Sequence, residues 1–174
     1  MKILLLTFWF IINPSKQEIA TTDGGKIKFY NTECYTKDGV SDGSICDIIL
    51  EKYADSGKLE WKTKIGGNSW DYVEDVLEVE NGYLVLGNTS SYGVGNLDVY
   101  LTKLDANGKE QWYRTYGGFF NDYGRTIAPS GDADGGYIIK GEKQHCVEQN
   151  VSEKCYTKSL FIKVAENGDN LYEE

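Results

Sequence analysis

Apolar and polar positions in this chain fall into short blocks, and the blocks recur. An apolar-rich stretch runs from Val73 to Val79, Glu80-Asn81-Gly82 interrupts it, and Tyr83-Leu-Val-Leu-Gly87 follows. Asn-Gly supplies the positive-φ positions of a tight turn, so the two stretches predict a hairpin. A looser segment leads to a third stretch, Asp98 to Asp105, then a second turn at Ala106-Asn107-Gly108 and a fourth strand from Glu110 to Tyr116. The stretches are rich in Val, Ile, Leu, Tyr and Trp, and proline stands only at 14 and 129. No helical periodicity of useful length competes, and the predicted unit is a four-stranded antiparallel meander.

That unit is written three times. The segment Asp47 to Trp61 returns almost letter for letter at Asp98 to Trp112, 51 positions on, with Gly66-Gly67 at Gly117-Gly118 and Asp71-Tyr72 at Asp122-Tyr123. In the third copy, Tyr123 to Tyr172, Asp134 to Gly141 matches Glu80 to Gly87, and Phe161 to Gly168 matches Leu101 to Gly108. The first copy aligns Ile19 through Gly25 with Ile127 through Gly136, so a strand begins near Gln17. Four-stranded units at a period of about 40 to 50 residues are the signature of β-propeller blades. The expected fold is all-β: three four-stranded antiparallel propeller-type blades at about 17–67, 72–118 and 123–172, in one domain spanning 15–174. With three blades where closed rings have about four to eight, this is a partial or oligomer-completed β-propeller.

The Asp-led third strand, the Lys-x-Asp-x-x-Gly-x-x-x-Trp turn, the Tyr-Gly-Gly link and the Asp-Gly-Gly-Tyr hairpin together resemble the roughly fifty-residue propeller repeats of secreted bacterial and archaeal proteins. The resemblance covers residues 17 to 172 and implies a fold and a compartment, not a ligand. Asp105-Ala-Asn-Gly-Lys-Glu-Gln-Trp112 is also similar to the tryptophan-docking repeat of quinoprotein propellers, with one residue missing. That family's turn is structural and transfers no catalytic residue.

Composition narrows the setting. The 174 residues are 40% apolar, enough for a globular core, and the net charge of −9 with no Lys/Arg cluster argues against nucleic acid or an anionic membrane as partner. The one long apolar run, Ile3 to Ile12 behind Met1-Lys2, is too short to span a bilayer and suits a secretory leader, so residues 1–14 are expected to be a signal peptide. Four cysteines lie where the copies differ, in the long connections between strands two and three: Cys34 and Cys46 in the first, Cys146 and Cys155 in the third. Four cysteines allow three connectivities, and the parallel placement favours Cys34–Cys46 and Cys146–Cys155. Each pair would close a loop of about ten to thirteen residues, a constraint of about 3 kcal/mol in the chain-entropy model. Disulfides imply an oxidising compartment, hence a secreted, periplasmic or cell-surface location. A four-thiolate zinc site is the rival, but no Cys-x-x-Cys is present.

The recurring residues that look most like motifs read as architecture. Trp61 and Trp112 are expected in blade packing, Gly66-Gly67 and Gly117-Gly118 as turns without the Lys-Ser/Thr of a phosphate loop, and Asp71 and Asp122 as acceptors for local backbone. Gly131 to Gly136 resembles a calcium loop but lacks the later Glu, so a solvated turn is expected. His145 is alone and suits exposure. No catalytic constellation, metal site or cofactor signature emerges, and the chain reads as non-enzymatic. The candidates for binding are the aromatic residues of the links between copies, Trp70, Phe119 and Phe120, which would either stack on a sugar or fill the seam between blades. The stapled loops are either recognition elements or mere restraints.

Three blades in an open stack would leave apolar faces at both ends. Either a homodimer completes a six-bladed ring or the chain is a fragment of a longer one. The functional expectation is an extracellular or cell-surface module for protein interaction or structure, with a lectin-like carbohydrate-binding module as the alternative.

Overall fold

A computed structural model describes residues 17–32, 35–36, 44–149 and 152–174. The described part is all-β, without helices, and its strands are β1 (Gln17–Ala20), β2 (Lys26–Asn31), β3 (Tyr35–Thr36), β4 (Ser44–Ile45), β5 (Ile48–Tyr53), β6 (Leu59–Ile65), β7 (Asp71–Val79), β8 (Gly82–Thr89), β9 (Asp98–Asp105), β10 (Glu110–Tyr116), β11 (Asp122–Pro129), β12 (Tyr137–Gln149), β13 (Ser152–Val164) and β14 (Asn170–Glu173). They form three four-stranded antiparallel sheets, β1-β2-β5-β6, β7-β8-β9-β10 and β11-β12-β13-β14, with a small β3-β4 ladder beside the first. No helix among the described residues is long and apolar enough to cross a membrane. The expected signal peptide lies outside the described residues.

Turn chemistry sets the register. Asn81 takes a φ of 59° in the two-residue loop between β7 and β8, which pair from Val79↔Gly82 onward. Each turn between the third and fourth strand of a sheet carries one glycine at nearly the same left-handed φ: Gly57 at 80°, Gly108 at 77° and Gly168 at 83°. Each of these glycines donates its N–H to the carbonyl three residues back, Ala54, Asp105 or Ala165. Only glycine holds that conformation without a steric cost.

The sheets meet in two apolar seams. Ile27, Phe29, Ile48, Leu50 and Ile65 of the first sheet pack with Val76, Tyr83, Val85, Tyr100 and Leu104 of the second. The second sheet's other face, with Leu84, Leu86, Val99, Leu101 and Tyr116, packs with Ile127, Ile139, Leu160, Ile162 and Val164 of the third. The middle sheet is therefore apolar on both faces, and all eight residues of β8 are buried. Burying one such aliphatic side chain stabilises by about 1.5–3 kcal/mol, so the middle sheet anchors the stack.

Recurring polar residues tie sheet to sheet at equivalent places. The side-chain oxygen of Asn31 accepts the Val73 N–H at 2.8 Å, and that of Asn88 accepts the Gly124 N–H at 2.7 Å, each beside a β-bulge that would otherwise leave the donor unpaired. Trp61 packs on Gly108 and donates its Nε1–H to the Ala106 carbonyl at 3.0 Å, while Trp112 packs on Gly168. The tryptophans thus serve the seams, as their recurrence implies. A third repeated residue, lysine, clamps the first turn of its own sheet: Lys52 to Asp23 at 2.7 Å, Lys103 to the Glu80 carbonyl at 3.2 Å and Lys163 to Asp132 at 2.6 Å.

The outer face of the first sheet corrects the expectation of an apolar end. On the first sheet, Lys28↔Glu51↔Lys62 and Tyr30↔Ile49↔Lys64 form the outward rungs. Glu51 accepts from the Tyr30 and Tyr53 hydroxyls, both at 2.8 Å, and from Lys62 at 3.0 Å. This face is polar because alternation along β2, β5 and β6 puts the apolar set inward and the charged set outward. The third sheet's outer face mixes Ile138, Phe161 and Tyr172 with Lys140 and Lys163.

Candidate functional site

In each meander the link to the next sheet and the connection between strands two and three lie at the same end. The candidate residues therefore gather along one rim, two links and one long hairpin wide. The first link, 66–70, is fixed by its glycines and an aspartate. Gly66 has a φ of 145°, the Gly67 N–H donates to Asp71 Oδ2 at 2.8 Å, and the same oxygen accepts from the Ser91 hydroxyl at 2.7 Å. The second link repeats this: Gly117 has a φ of 140° and the Gly118 N–H donates to Asp122 Oδ2 at 2.7 Å. Two aspartates crowd each first glycine, Asp47 and Asp71 at Gly66, Asp98 and Asp122 at Gly117, so a Cβ would have no room there. The Asp71 and Asp122 backbones also donate across the seam, to the carbonyls of Cys46 and Leu97. Both aspartates serve local backbone, as their place after Gly-Gly implies.

Burial pushes the Asp98 carboxyl above the usual range, against the pull of the Gly95 and Val94 N–H groups. Burial likewise raises Asp122, with the Asp98 charge adding to it and the Gly118 N–H opposing it. Among the described residues no group of three or more His, Cys, Asp or Glu side chains is placed to hold a metal ion. The Gly131–Gly136 turn is filled by protein donors. The Ser130 hydroxyl and Asp134 N–H bond Asp132 Oδ1, and Lys163 takes Oδ2.

The link aromatics are held on this rigid backbone. Trp70 is 45% exposed. Its N–H donates to the Ser90 hydroxyl at 3.0 Å, its carbonyl accepts the Ser90 N–H at 2.8 Å, and its ring meets Tyr72 edge-on at 6.2 Å. Phe119 is 79% exposed and sets its ring perpendicular to Phe120 at 5.5 Å. Trp70 and the phenylalanines stand on different links, and the ring of Trp70 meets Tyr72 of β7 while Phe119 and Phe120 meet each other. They do not form one platform.

The Cys146–Cys155 disulfide is as expected, but the connection that carries it differs in form. Cys46 is disulfide-bonded, while Cys34 lies outside the described residues. Cys146 and Cys155 are joined, but not in a loop: they face one another as a rung of β12 and β13, which run on as a long hairpin. The alternation of Lys154, Tyr156 and Lys158 with Cys155 and Thr157 was the strand signal, masked by taking cysteines as loop markers. His145 is exposed, as expected of a lone imidazole, and meets Tyr156 edge-on at 5.1 Å.

A further feature escaped the sequence reading. Tyr92, in the short connection of the middle sheet, stacks on Tyr100 at 5.6 Å and meets the Tyr113 ring at a tilt at 5.0 Å, and its hydroxyl donates to the Gly66 carbonyl at 3.0 Å. Burial pushes the Tyr92 and Tyr100 hydroxyls above their usual range. Tyr92 thereby pins the middle connection to the first link. Only Tyr100 recurs as an apolar position, Ile49, so periodicity gave no sign of the cluster.

The chain matches no known protein-family model and no curated protein.

Proposed function

We propose that this chain is a non-enzymatic extracellular or cell-surface module of propeller-type blades whose rim serves protein interaction or structural assembly. One observation carries the reading: the most exposed large aromatic of the described residues, Phe119, sits on a link whose backbone is locked by Asp122. A protein that spends a rigid position on an exposed phenylalanine supplies an anchor for a partner. The Cys146–Cys155 disulfide and the bonded Cys46 support an oxidising compartment. A photo-crosslinking residue at 119 should trap a protein on the cell surface, whereas one at exposed Gln111 should not. Equal trapping at both positions refutes the reading.

The second reading, a carbohydrate-binding module, is favoured by the exposed ring of Trp70. A neutral-glycan panel with Trp70→Ala and Phe119→Ala tests it; binding that ignores both substitutions counts it out. Ring completion by a second copy and membership of a longer blade array are separated by light scattering. Twice the 19.6 kDa chain mass supports the six-bladed homodimer, and the charged outer face of the first sheet weighs against it.

A further inference from the structure

The β12–β13 hairpin continues past the sheet that anchors it. β11 pairs no farther than Asp122↔Lys143 and β14 pairs with β13 no farther than Glu173↔Ile162, while β12 and β13 pair with each other out to Gln149↔Ser152. A two-stranded ribbon is marginal in water, and the Cys146–Cys155 rung staples it.

Alternation sorts its residues. The face that packs Ile139, Leu160 and Ile162 against the second sheet continues outward as Lys143, His145 and Val147 opposite Lys158, Tyr156 and Lys154. Lys143 stands directly across from Lys158, a like-charge rung that destabilises a ladder. Lys26, Lys52, Lys62, Lys64 and Lys163 each have a carboxylate partner, but among the described residues Lys143, Lys154 and Lys158 form no ion pair. Tyr156 is 42% exposed, with Lys158 Nζ 5.3 Å from its ring centre. Asp122, the rung partner of Lys143 on β11, meets that lysine's charge from one side, while Lys154 and Lys158 carry theirs on the open face of a chain of net charge −9, with no carboxylate bound to them among the described residues.

We propose that this face of the hairpin binds an acidic polysaccharide, with carboxylate or sulfate groups seated between Lys143 and Lys158 and a sugar packed against Tyr156 and His145. Lys154 and Lys158 lie four residues apart on one strand, roughly 13 Å at about 3.3 Å per residue. An extended ligand carrying more than one charge spans them; a single small anion does not. The exposed ring pair selects sugar over an acidic peptide, since aromatic faces stack on sugar rings and lysines alone suffice for a peptide. This goes beyond the interaction reading and uses none of the link aromatics, so either stands if the other fails.

The test is calorimetry of the full oxidised chain with polygalacturonate, dextran sulfate, neutral dextran and polyglutamate, at low and high salt. Binding of at least one of the two acidic polysaccharides is expected, and which one binds tells carboxylate from sulfate. Neutral dextran should not bind. Lys143→Gln/Lys158→Gln and high salt should each weaken binding about tenfold or more, and Tyr156→Ala should weaken it without changing the salt dependence. Lys158→Gln alone, which leaves Lys143 facing Asp122, should also melt no lower than the parent, because it removes a repulsive rung. Failure of both acidic polysaccharides to bind at low salt overturns the proposal, as does binding indifferent to the two lysines. Polyglutamate binding as tightly as the polysaccharide overturns the sugar assignment.

Discussion

Substituting alanine at Gly57, Gly108 and Gly168 separates backbone strain from packing within one molecule. The three glycines have φ of 80°, 77° and 83° in the same turn of successive sheets, so alanine costs the same left-handed strain at each, about 1–2 kcal/mol. Their surroundings differ. At Gly57 an added Cβ meets nothing within 4 Å. At Gly108 it would lie 2.5 Å from the Trp61 ring and 2.7 Å from the Thr63 hydroxyl, and at Gly168 2.7 Å from the Trp112 ring. Overpacking of this kind adds about 1–3 kcal/mol. Urea unfolding followed by far-ultraviolet circular dichroism should therefore place Gly57→Ala about 1–2 kcal/mol below the parent, and the other two about 2–5 kcal/mol below. In a Trp61→Ala background the cost of Gly108→Ala should shrink toward that of Gly57→Ala, the coupling expected of residues in contact. Equal costs at Gly57 and Gly108, or no relief from Trp61→Ala, would refute the assignment of the tryptophans to the seams.

Two further outcomes follow from the first and third sheets. Burial pushes the Glu51 carboxyl up, but the Tyr30 and Tyr53 hydroxyls and Lys62 pull it further down, from 4.5 to about 2. Its ionised form is favoured in the folded state, so its contribution is complete above about 4.5 and vanishes as pH falls through about 2. Urea midpoints of the parent should fall over that window and those of Glu51→Gln should change less; parallel curves would contradict the network. Reducing Cys146–Cys155, nine residues apart, should remove about 2–3 kcal/mol of restraint from the hairpin. Hydrogen exchange should then rise at residues 144–149 and 152–157 while Ile139 and Ile162 stay protected, and a loss of protection across the third sheet would show that the staple serves the whole stack.

How much of this was legible depended on whether period or register carried the information. The 51-residue period located β7 to β10 almost to the residue, because Asn81-Gly82 and Asn107-Gly108 mark turns wherever they occur and the stretches between them leave no other pairing. It also assigned Trp61, Trp112, Asp71 and Asp122 to architecture, and the seams and links use them so. A period does not say which face a residue takes, since a shift of one position in a ladder sends every side chain to the other side. Glu51 stands at the position of Thr102, and Lys28 at that of Val85, yet only the Lys28↔Glu51 register shows that both point outward. The same holds for the hairpin, where the cysteines read as loop ends until Cys146↔Cys155 proved to be a rung. Once that rung is set, Lys143, Lys154 and Lys158 fall on one face without further choice. Charges scattered through two unremarkable segments become a single basic surface only through pairing. The positions that distinguish this chain from a bare repeat are therefore read from register, and a substitution that slipped the β12–β13 ladder by one residue would scatter that surface while leaving every recurring motif intact.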